Sequence, residues 1–160
     1  MGRSTNAFIS YSAPIPAPPA RVYAVLSDYH THHPAIVPKD AFRRVDVIKG
    51  GKGAGTRFEL ESVMMGRTTV AQFDVTEPEP GRVMVETMLD GSLATTFTMD
   101  PLDGGRATQL TLATDYTLPG GFFLPLLRWI AGSAIRQIYQ REIANIAQYI
   151  ADDRDLKRAE

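Results

Sequence analysis

The sequence predicts an α+β fold in which a curved, seven-stranded antiparallel sheet wraps around one long C-terminal helix, with two short helices after strand 1. Six consecutive strand-like segments lie between residues 42 and 117, and short turn sequences separate them. The last forty or so residues carry an apolar stripe with helical spacing. A proline-rich segment separates the first strand from a short helical pattern.

The composition is that of one soluble globular domain. The chain has 160 residues, which is enough to bury a core, and its 17 basic and 18 acidic side chains give a net charge of −1. This balance argues against nucleic-acid binding, which depends on neutralising phosphates. We expect a single domain over residues 1–152, and a charged, frayed tail over residues 153–160.

The residue types that are missing exclude several classes of site. The chain contains no Cys, so disulfides, thiolate metal sites and cysteine nucleophiles are excluded. The N-terminal residues contain no signal-peptide pattern, and no apolar run reaches the ~18 residues of a membrane span. We therefore expect a cytoplasmic protein without a transmembrane segment.

The first third of the chain contains one strand and two helical segments. Polar and apolar residues alternate over Asn6–Ser12, which predicts the first strand. Four prolines between residues 14 and 19 should end this strand and start a helix that runs from Ala20 to near Asp28. Tyr29–Pro38 is predicted to form a short second helical turn or a loop, broken by its prolines.

Six strands follow. We predict them at Phe42–Ile48, Thr56–Met64, Thr68–Glu77, Arg82–Met88, Leu93–Met99 and Ala107–Thr117. The glycine-rich stretch Gly50–Gly55 is a hairpin connection; Thr56 stands where a phosphate-binding loop needs Lys, and a strand follows it. Glu59 and Glu61 alternate with apolar residues, so we expect them on a solvated face rather than as an acid/base pair.

The long helix follows Pro119-Gly120-Gly121. Its apolar stripe consists of Leu127, Ile130, Ala131, Ala134, Ile135, Ile138, Tyr139, Ile143, Ile146 and Ile150. Glu142 lies near the edge of the stripe, where its side chain is expected to reach solvent; if it were buried, it would need a partner such as Arg or Tyr, and its pKa would rise. Phe122, Phe123, Leu124 and Trp129 are expected to be partly exposed, as a cavity lip, a dimer contact or a membrane contact.

A curled sheet of this size has a concave face that one straight helix cannot fill, so either large side chains fill the remainder or a pocket stays open. The predicted concave face mixes apolar residues with small polar ones. Its members are Phe58, Leu60, Ser62, Met64, Thr69, Phe73, Thr95, Phe97, Leu110, Leu112, Thr114 and Tyr116. Apolar walls with a few polar groups are typical of small-molecule sites.

Three stretches carry a resemblance to a known superfamily. They are PIPAPPARVYAVLSD after the first strand, GKGAGTRFEL at the second hairpin and LPGGFFLPLLRWIAGSAIRQIYQREIANIAQYI at the end. Together with the element order, they resemble the helix-grip fold of the START/Bet v 1-like (SRPBCC) superfamily, and in particular its polyketide cyclase/dehydrase and lipid-transport branch. The resemblance covers nearly the whole chain. It implies binding of a hydrophobic molecule between the sheet and the long helix. We expect no cofactor, since the phosphate-loop and dinucleotide-binding motifs are not matched.

All three histidines lie close together, at His30, His32 and His33. A metal site is disfavoured because adjacent His32 and His33 point in different directions and no further ligand is evident. A histidine that faces the pocket could hydrogen-bond a ligand carbonyl or act as a general base. No complete catalytic set is evident; for an enzyme, the candidates that would orient the substrate and move protons are His30, His33 and Tyr116.

Three functional hypotheses follow from these patterns. The first is binding, for transport or sequestration, of a lipid, isoprenoid or polyketide-like molecule. The predicted ligand-binding residues are Tyr29, His33, Phe58, Leu60, Met64, Phe73, Phe97, Leu112, Thr114, Tyr116, Ile135, Ile138 and Tyr139. The second is a polyketide cyclase or dehydratase that uses the same cavity. The third is a quinone-handling or protein-partner accessory module. Monomer and homodimer both stay open, as does a transient membrane contact.

Overall fold

The strands and helices follow the predicted order along the chain. In a computed structural model, which describes residues 5–118 and 124–153, the elements are β1 Thr5–Ile15, α1 Pro19–Ser27, α2 His33–Ile36, β2 Phe42–Lys49, β3 Arg57–Met64, β4 Arg67–Glu79, β5 Val83–Met88, β6 Leu93–Leu102, β7 Ala107–Leu118 and α3 Leu124–Asp152. The predicted turn at residues 119–121, Phe122 and Phe123, and the tail beyond Asp153 lie outside the described residues.

All seven strands form one antiparallel sheet with the order β1-β7-β6-β5-β4-β3-β2. Strands β2 to β7 form a meander in which each strand pairs with the next one along the chain. The last strand, β7, also pairs with the first, β1, so that Thr5 lies opposite Leu118 and Ile15 opposite Thr108. The predicted α+β helix-grip architecture is therefore confirmed, and β1 and β2 are its edge strands.

Strand β1 is longer than predicted. The prolines were expected to end it at Ser12, but it continues through Pro14, which lies opposite Gln109, to Ile15. This is possible because β1 is an edge strand with a neighbouring strand on one side only, so a proline, which has no backbone N–H, can be accommodated there. Only Pro16 and the residues after it leave the sheet.

Helix α3 is amphipathic, as predicted. Its buried side chains include Ile135, Ile138, Tyr139, Ile143, Ile146 and Ile150. Arg136, Gln137, Gln140, Arg141 and Gln148 are exposed on the other side. The helix lies mainly against β1, at one edge of the sheet, and against α1 and α2. The concave faces of the strands on the far side of the sheet are therefore not filled by α3.

The loop between β2 and β3 is tied to the end of α1. The Tyr29 N–H donates a hydrogen bond to the Gly51 carbonyl oxygen at 2.9 Å, and the Gly53 N–H donates to the Ser27 carbonyl oxygen at 2.8 Å. Gly51 has a φ of +126°, and a Cβ atom there would lie 2.0 Å from His30 Nε2, so a larger residue would strain the backbone and displace the His30 ring. This predicted hairpin connection thereby holds the backbone of Tyr29 in place.

The convex face of the sheet carries ion pairs. Arg57 makes two hydrogen bonds of 2.7 Å to the Asp74 carboxylate, and Arg44 donates to Glu59 at 3.2 Å. Glu61 lies 3.6 Å from the same Arg44 guanidinium. Glu59 and Glu61 are therefore part of a solvated, salt-bridged face, as the alternation predicts.

Candidate functional site

A cavity of about 130 Å³ lies between the concave face of the sheet and α3. Its lining residues are His33, Val37, Phe42, Val45, Phe58, Leu60, Ser62, Met64, Thr69, Ala71, Phe73, Glu86, Met88, Leu93, Thr95, Phe97, Thr114, Ile135, Ile138, Tyr139 and Glu142. Thr69 is exposed and Met64 is half-buried, so the cavity meets solvent near the β3–β4 turn. The wall is mostly apolar, with a few polar groups.

Most of the predicted ligand-binding residues line this cavity. They are His33, Phe58, Leu60, Met64, Phe73, Phe97, Thr114, Ile135, Ile138 and Tyr139. Their contact with a ligand stays a prediction. Three other predicted residues, Tyr29, Leu112 and Tyr116, are not part of the cavity wall.

Leu112 and Tyr116 are not part of the cavity wall, and their contact with a ligand stays a prediction. Both belong to β7, which lies between β6 and β1 on the side of the sheet where α3 packs. Leu112 is fully buried in the core. Tyr116 lines a separate shallow groove beside Phe8 and Trp129. The alternation in β7 correctly predicts that both side chains point inward, and Thr114 between them does line the cavity.

Tyr29 is buried directly behind the cavity wall. Its ring stacks on His33 with a centroid distance of 4.5 Å and on Phe58 at 4.8 Å. Its hydroxyl donates a hydrogen bond of 2.6 Å to Glu86 Oε1. Burial, and then the nearby Glu86 carboxylate, raise the pKa of Tyr29 well above its ordinary value. Tyr29 therefore stays neutral and orients Glu86.

His33 turns one ring nitrogen toward the same carboxylate. Its Nδ1 lies 2.7 Å from the Leu26 carbonyl oxygen, and because a carbonyl oxygen only accepts, Nδ1 carries a hydrogen. Its Nε2 lies 3.6 Å from Glu86 Oε1. His33 is 4% exposed and lines the cavity, so it has the position predicted for a pocket-facing histidine.

The other two histidines lie elsewhere. His30 is exposed and its Nε2 lies 3.3 Å from the Gly50 carbonyl oxygen, while His32 Nδ1 lies 2.7 Å from the Tyr149 hydroxyl. Of the three catalytic candidates, His33 lines the cavity, whereas His30 and Tyr116 do not. The His30 side chain points away from the cavity, toward the glycine-rich loop, and its catalytic role stays a prediction.

Glu86 was missed by the sequence analysis. It lies on β5 between Met84 and Met88, and all three face inward. Burial raises its pKa, and the nearby His33 and the hydrogen bond from Tyr29 partly oppose this rise. A charged residue between two methionines at inward spacing was a usable signal. It was masked because the alternate positions, Val83 and Val85, are also apolar.

Glu142 was predicted to reach solvent, and this is wrong: it is 4% exposed and lines the cavity. The buried face of α3 is wider than the stripe because α2 also covers the helix, with Asn145 Nδ2 donating a 2.9 Å hydrogen bond to the Ile36 carbonyl oxygen. Within residues 5–118 and 124–153, no group hydrogen-bonds or ion-pairs with the Glu142 carboxyl. Burial first, and then Glu86, raise the pKa of Glu142 from 4.5 to about 8.

Three hydroxyl groups form a second polar region in the cavity wall. The Tyr139 hydroxyl hydrogen-bonds the Thr114 hydroxyl, which lies 2.7 Å from that of Thr95. Burial raises the pKa of Tyr139 to about 12, so it stays neutral. Together with the acid–histidine cluster of Tyr29, His33, Glu86 and Glu142, these hydroxyls give an otherwise apolar cavity two hydrogen-bonding regions.

Exposed aromatic residues, possible metal ligands and helix length bear on the other hypotheses. Trp129, which was expected to be partly exposed, is 69% exposed, and Phe8 is 61% exposed. In the described ranges, no three His, Asp or Glu side chains converge as a metal site requires. None of the helices described has the length and apolar character needed to cross a membrane.

Solved structures share this fold. The chain has a TM-score of 0.78 to the KanY protein, with 24% identity over 92% of this chain and 99% of that one. It has a TM-score of 0.71 to the Zhui aromatase/cyclase from Streptomyces sp. R1128, with 18% identity over 92% and 94%. For a START superfamily protein from Mycobacterium smegmatis the TM-score is 0.70, with 17% identity over 89% and 98%.

A comparison with curated protein sequences finds no match. The sequence profile of the family described as "Polyketide cyclase / dehydrase and lipid transport" matches residues 7–151, which is nearly the whole described chain. This match and the structural neighbours confirm the resemblance to the START/Bet v 1-like superfamily. The chain therefore belongs to the polyketide cyclase / dehydrase and lipid transport family.

Proposed function

We propose that this protein binds a hydrophobic small molecule in the cavity between the sheet and α3. The observation that carries the proposal is the cavity itself, with apolar walls and two localised polar regions. An empty apolar cavity costs stability because its lining atoms lose dispersion contacts, and a ligand restores them. The polar regions orient a molecule that the apolar walls hold.

The size of the cavity favours a compact ligand. About 130 Å³ is close to the volume of an engineered protein cavity that admits one benzene ring. A ring-containing, polyketide-like molecule fits this volume better than a long acyl or isoprenoid chain. A longer ligand would have to extend through the opening near Met64 and Thr69.

Native ligand extraction tests this proposal directly. The full chain is purified from its native host, extracted with organic solvent and analysed by mass spectrometry. We expect a co-purifying molecule with at least one ring, near one per chain. The wild-type chain should also bind ethylbenzene, an apolar single-ring probe, in ligand-observed NMR. A chain that is consistently empty and does not bind ethylbenzene would rule out the proposal.

A blocking substitution adds a matched comparison on one strand. Ala71 faces the cavity from β4, and its neighbour Gln72 is on the other face of the same strand. Ala71→Trp should fill the cavity and lower ethylbenzene affinity at least tenfold, whereas Gln72→Trp should leave it unchanged. Circular dichroism checks that both variants fold. Equal ethylbenzene affinity in the two variants would place the binding site elsewhere.

A second candidate function is acid–base catalysis in the same cavity. The observation that favours it is the acid–histidine cluster, in which His33 Nε2 lies 3.6 Å from Glu86 and Glu142 has a pKa of about 8. Such a set supplies a base to remove a proton next to a carbonyl and an acid to protonate a carbonyl oxygen. The fold that the chain shares with an aromatase/cyclase supports an intramolecular aldol reaction followed by loss of water.

Histidine substitutions test this second function. Heptane-2,4,6-trione is a suitable probe because its aldol closure and loss of one water give the single aromatic ring of 5-methylresorcinol. With this probe, His33→Ala should lower the rate of ring formation about 100-fold or more, the usual contribution of a general acid or base. His30→Ala, at an exposed position outside the cavity, is the control and should keep the wild-type rate. Equal rates in both variants would reject a catalytic role for His33.

A further inference from the structure

We propose that Glu142 is the specificity-determining residue of the cavity, and that its protonated carboxyl selects ligands with a carbonyl oxygen. The inference rests on the proposed function, that the cavity binds a hydrophobic small molecule. It adds a ligand class: compact neutral ketones, aldehydes or related carbonyl compounds, usually carried on a ring. The selecting group is on α3, which the sequence predicted only as an apolar wall.

The geometry of Glu142 supports this role. Its side chain is more than nine-tenths buried, lines the cavity and has no hydrogen-bonding or ion-pairing partner within residues 5–118 and 124–153. Buried polar groups in proteins are nearly always hydrogen-bonded, so one that faces a cavity without a protein partner points to a ligand partner. A ligand in the cavity is the group that can supply it.

The surrounding charges determine which partner fits. The ionisable groups around Glu142 are Glu86 on β5, His33 on α2, Tyr139 on α3 itself and Tyr29 behind the wall. No Lys or Arg is among the described residues that line the cavity. An ionised Glu142 would be an unpaired charge in an apolar space next to a second carboxyl group, which is strongly unfavourable.

A protonated Glu142 has an O–H group to donate. Glu86 already accepts a hydrogen bond of 2.6 Å from the Tyr29 hydroxyl and faces His33. We therefore expect Glu142, and not Glu86, to donate to the ligand. A ligand carbonyl oxygen accepts from the Glu142 O–H and leaves the rest of the ligand in contact with the apolar wall. A ligand of the same shape without an acceptor leaves the buried O–H unpaired and binds more weakly.

Two probes of nearly equal shape test the inference. Acetophenone has a carbonyl oxygen where ethylbenzene has a methylene group. With the full chain at pH 6, measured by ligand-observed NMR or calorimetry, acetophenone should bind about tenfold more tightly than ethylbenzene. At pH 9.5 this preference should be lost, because Glu142 is then ionised and no longer donates a hydrogen bond. The hydroxyl groups of Tyr139 and its two threonine partners can still donate at this pH, so a preference that depended on them would persist.

Two substitutions separate the hydrogen bond from folding effects. Glu142→Gln keeps an N–H donor that does not titrate, so its preference for acetophenone should persist at both pH values. Glu142→Leu removes the donor and should bind both probes equally at both pH values. Retained ethylbenzene binding in Glu142→Leu shows that the variant is folded and its cavity intact.

The outcomes distinguish failure of the inference from failure of the proposed function. If both probes bind wild type equally at pH 6, the role of Glu142 is rejected while cavity binding stands. If 1-phenylethylamine, a cation of similar shape, binds more tightly than acetophenone, Glu142 acts as a carboxylate and the inference is overturned. If neither ethylbenzene nor acetophenone binds, the proposed function and the inference fail together.

Discussion

Replacing Glu142 with Gln should make the protein much more stable at pH 9 and change its stability little at pH 4. The pKa of Glu142 is about 8 in the folded protein and near 4.5 in an unfolded chain. Below pH 4.5 the carboxyl is neutral in both states. Between pH 4.5 and 8 the unfolded chain releases this proton but the folded protein retains it, so the stability of wild type falls as pH rises.

The expected size follows from the two pKa values. A pKa difference of about 3.5 corresponds to on the order of 5 kcal/mol of folding free energy. Wild type loses this stability between pH 4.5 and 8, whereas the Gln variant, which has no carboxyl group at this position, does not. The Gln amide occupies nearly the same volume, so packing changes little. Urea unfolding of both chains at pH 4, 6 and 9 measures the difference at each pH.

The control for this series is Asp115→Asn on the exposed face of β7. It removes one carboxylate from the chain, as Glu142→Gln does, but from a solvated position. Its effect on the free energy of unfolding should be within about 0.5 kcal/mol at every pH. A difference between wild type and Glu142→Gln that is the same at pH 4 and pH 9 would contradict burial of a protonated Glu142.

Replacing Phe58 with Ala should lower the free energy of unfolding by about 3–5 kcal/mol, the usual range for a buried Phe. Phe58 is 1% exposed, and its ring stacks between Tyr29 at 4.8 Å and Phe73 at 5.4 Å. Losing it removes buried apolar area and leaves Tyr29 without one of its two ring neighbours. Urea unfolding at pH 6 gives the change directly.

The same substitution should enlarge the cavity, since Phe58 is part of its wall. We expect Phe58→Ala to bind larger aromatic probes, such as naphthalene, with higher affinity than wild type does. Phe8→Ala is the matched control, because Phe8 is 61% exposed on edge strand β1, and it should cost less than about 1 kcal/mol. Equal losses in the two variants would show that Phe58 is not a core residue.

Local patterns predicted the elements and the sides of the sheet. In β3, Phe58, Leu60 and Met64 alternate with charged residues, and they do face the cavity. In α3, Ile135, Ile138 and Ile146 recur at helical spacing, and they are buried. These predictions hold because each depends on a period of two or 3.6 residues, which the backbone itself imposes.

The residues of the candidate site were harder to predict. Glu86 and Glu142 were missed or placed in solvent, and Tyr116 was placed in the cavity, although each lies in a correctly predicted element. Periodicity reports whether a side chain points inward. It does not report which other element covers that position, because this depends on contacts between residues far apart in sequence.

The α+β architecture, the order of the strands along the chain and the apolar face of α3 can be predicted from the sequence, because they follow from repeating local patterns and turn chemistry. The tertiary structure alone decided where a cavity remains. Helix α3 lies toward β1 and α2, so it leaves part of the concave face of β2 to β6 open. That placement brings Glu142, Glu86 and His33 together in an apolar space, where burial changes the acidity of the two carboxyl groups.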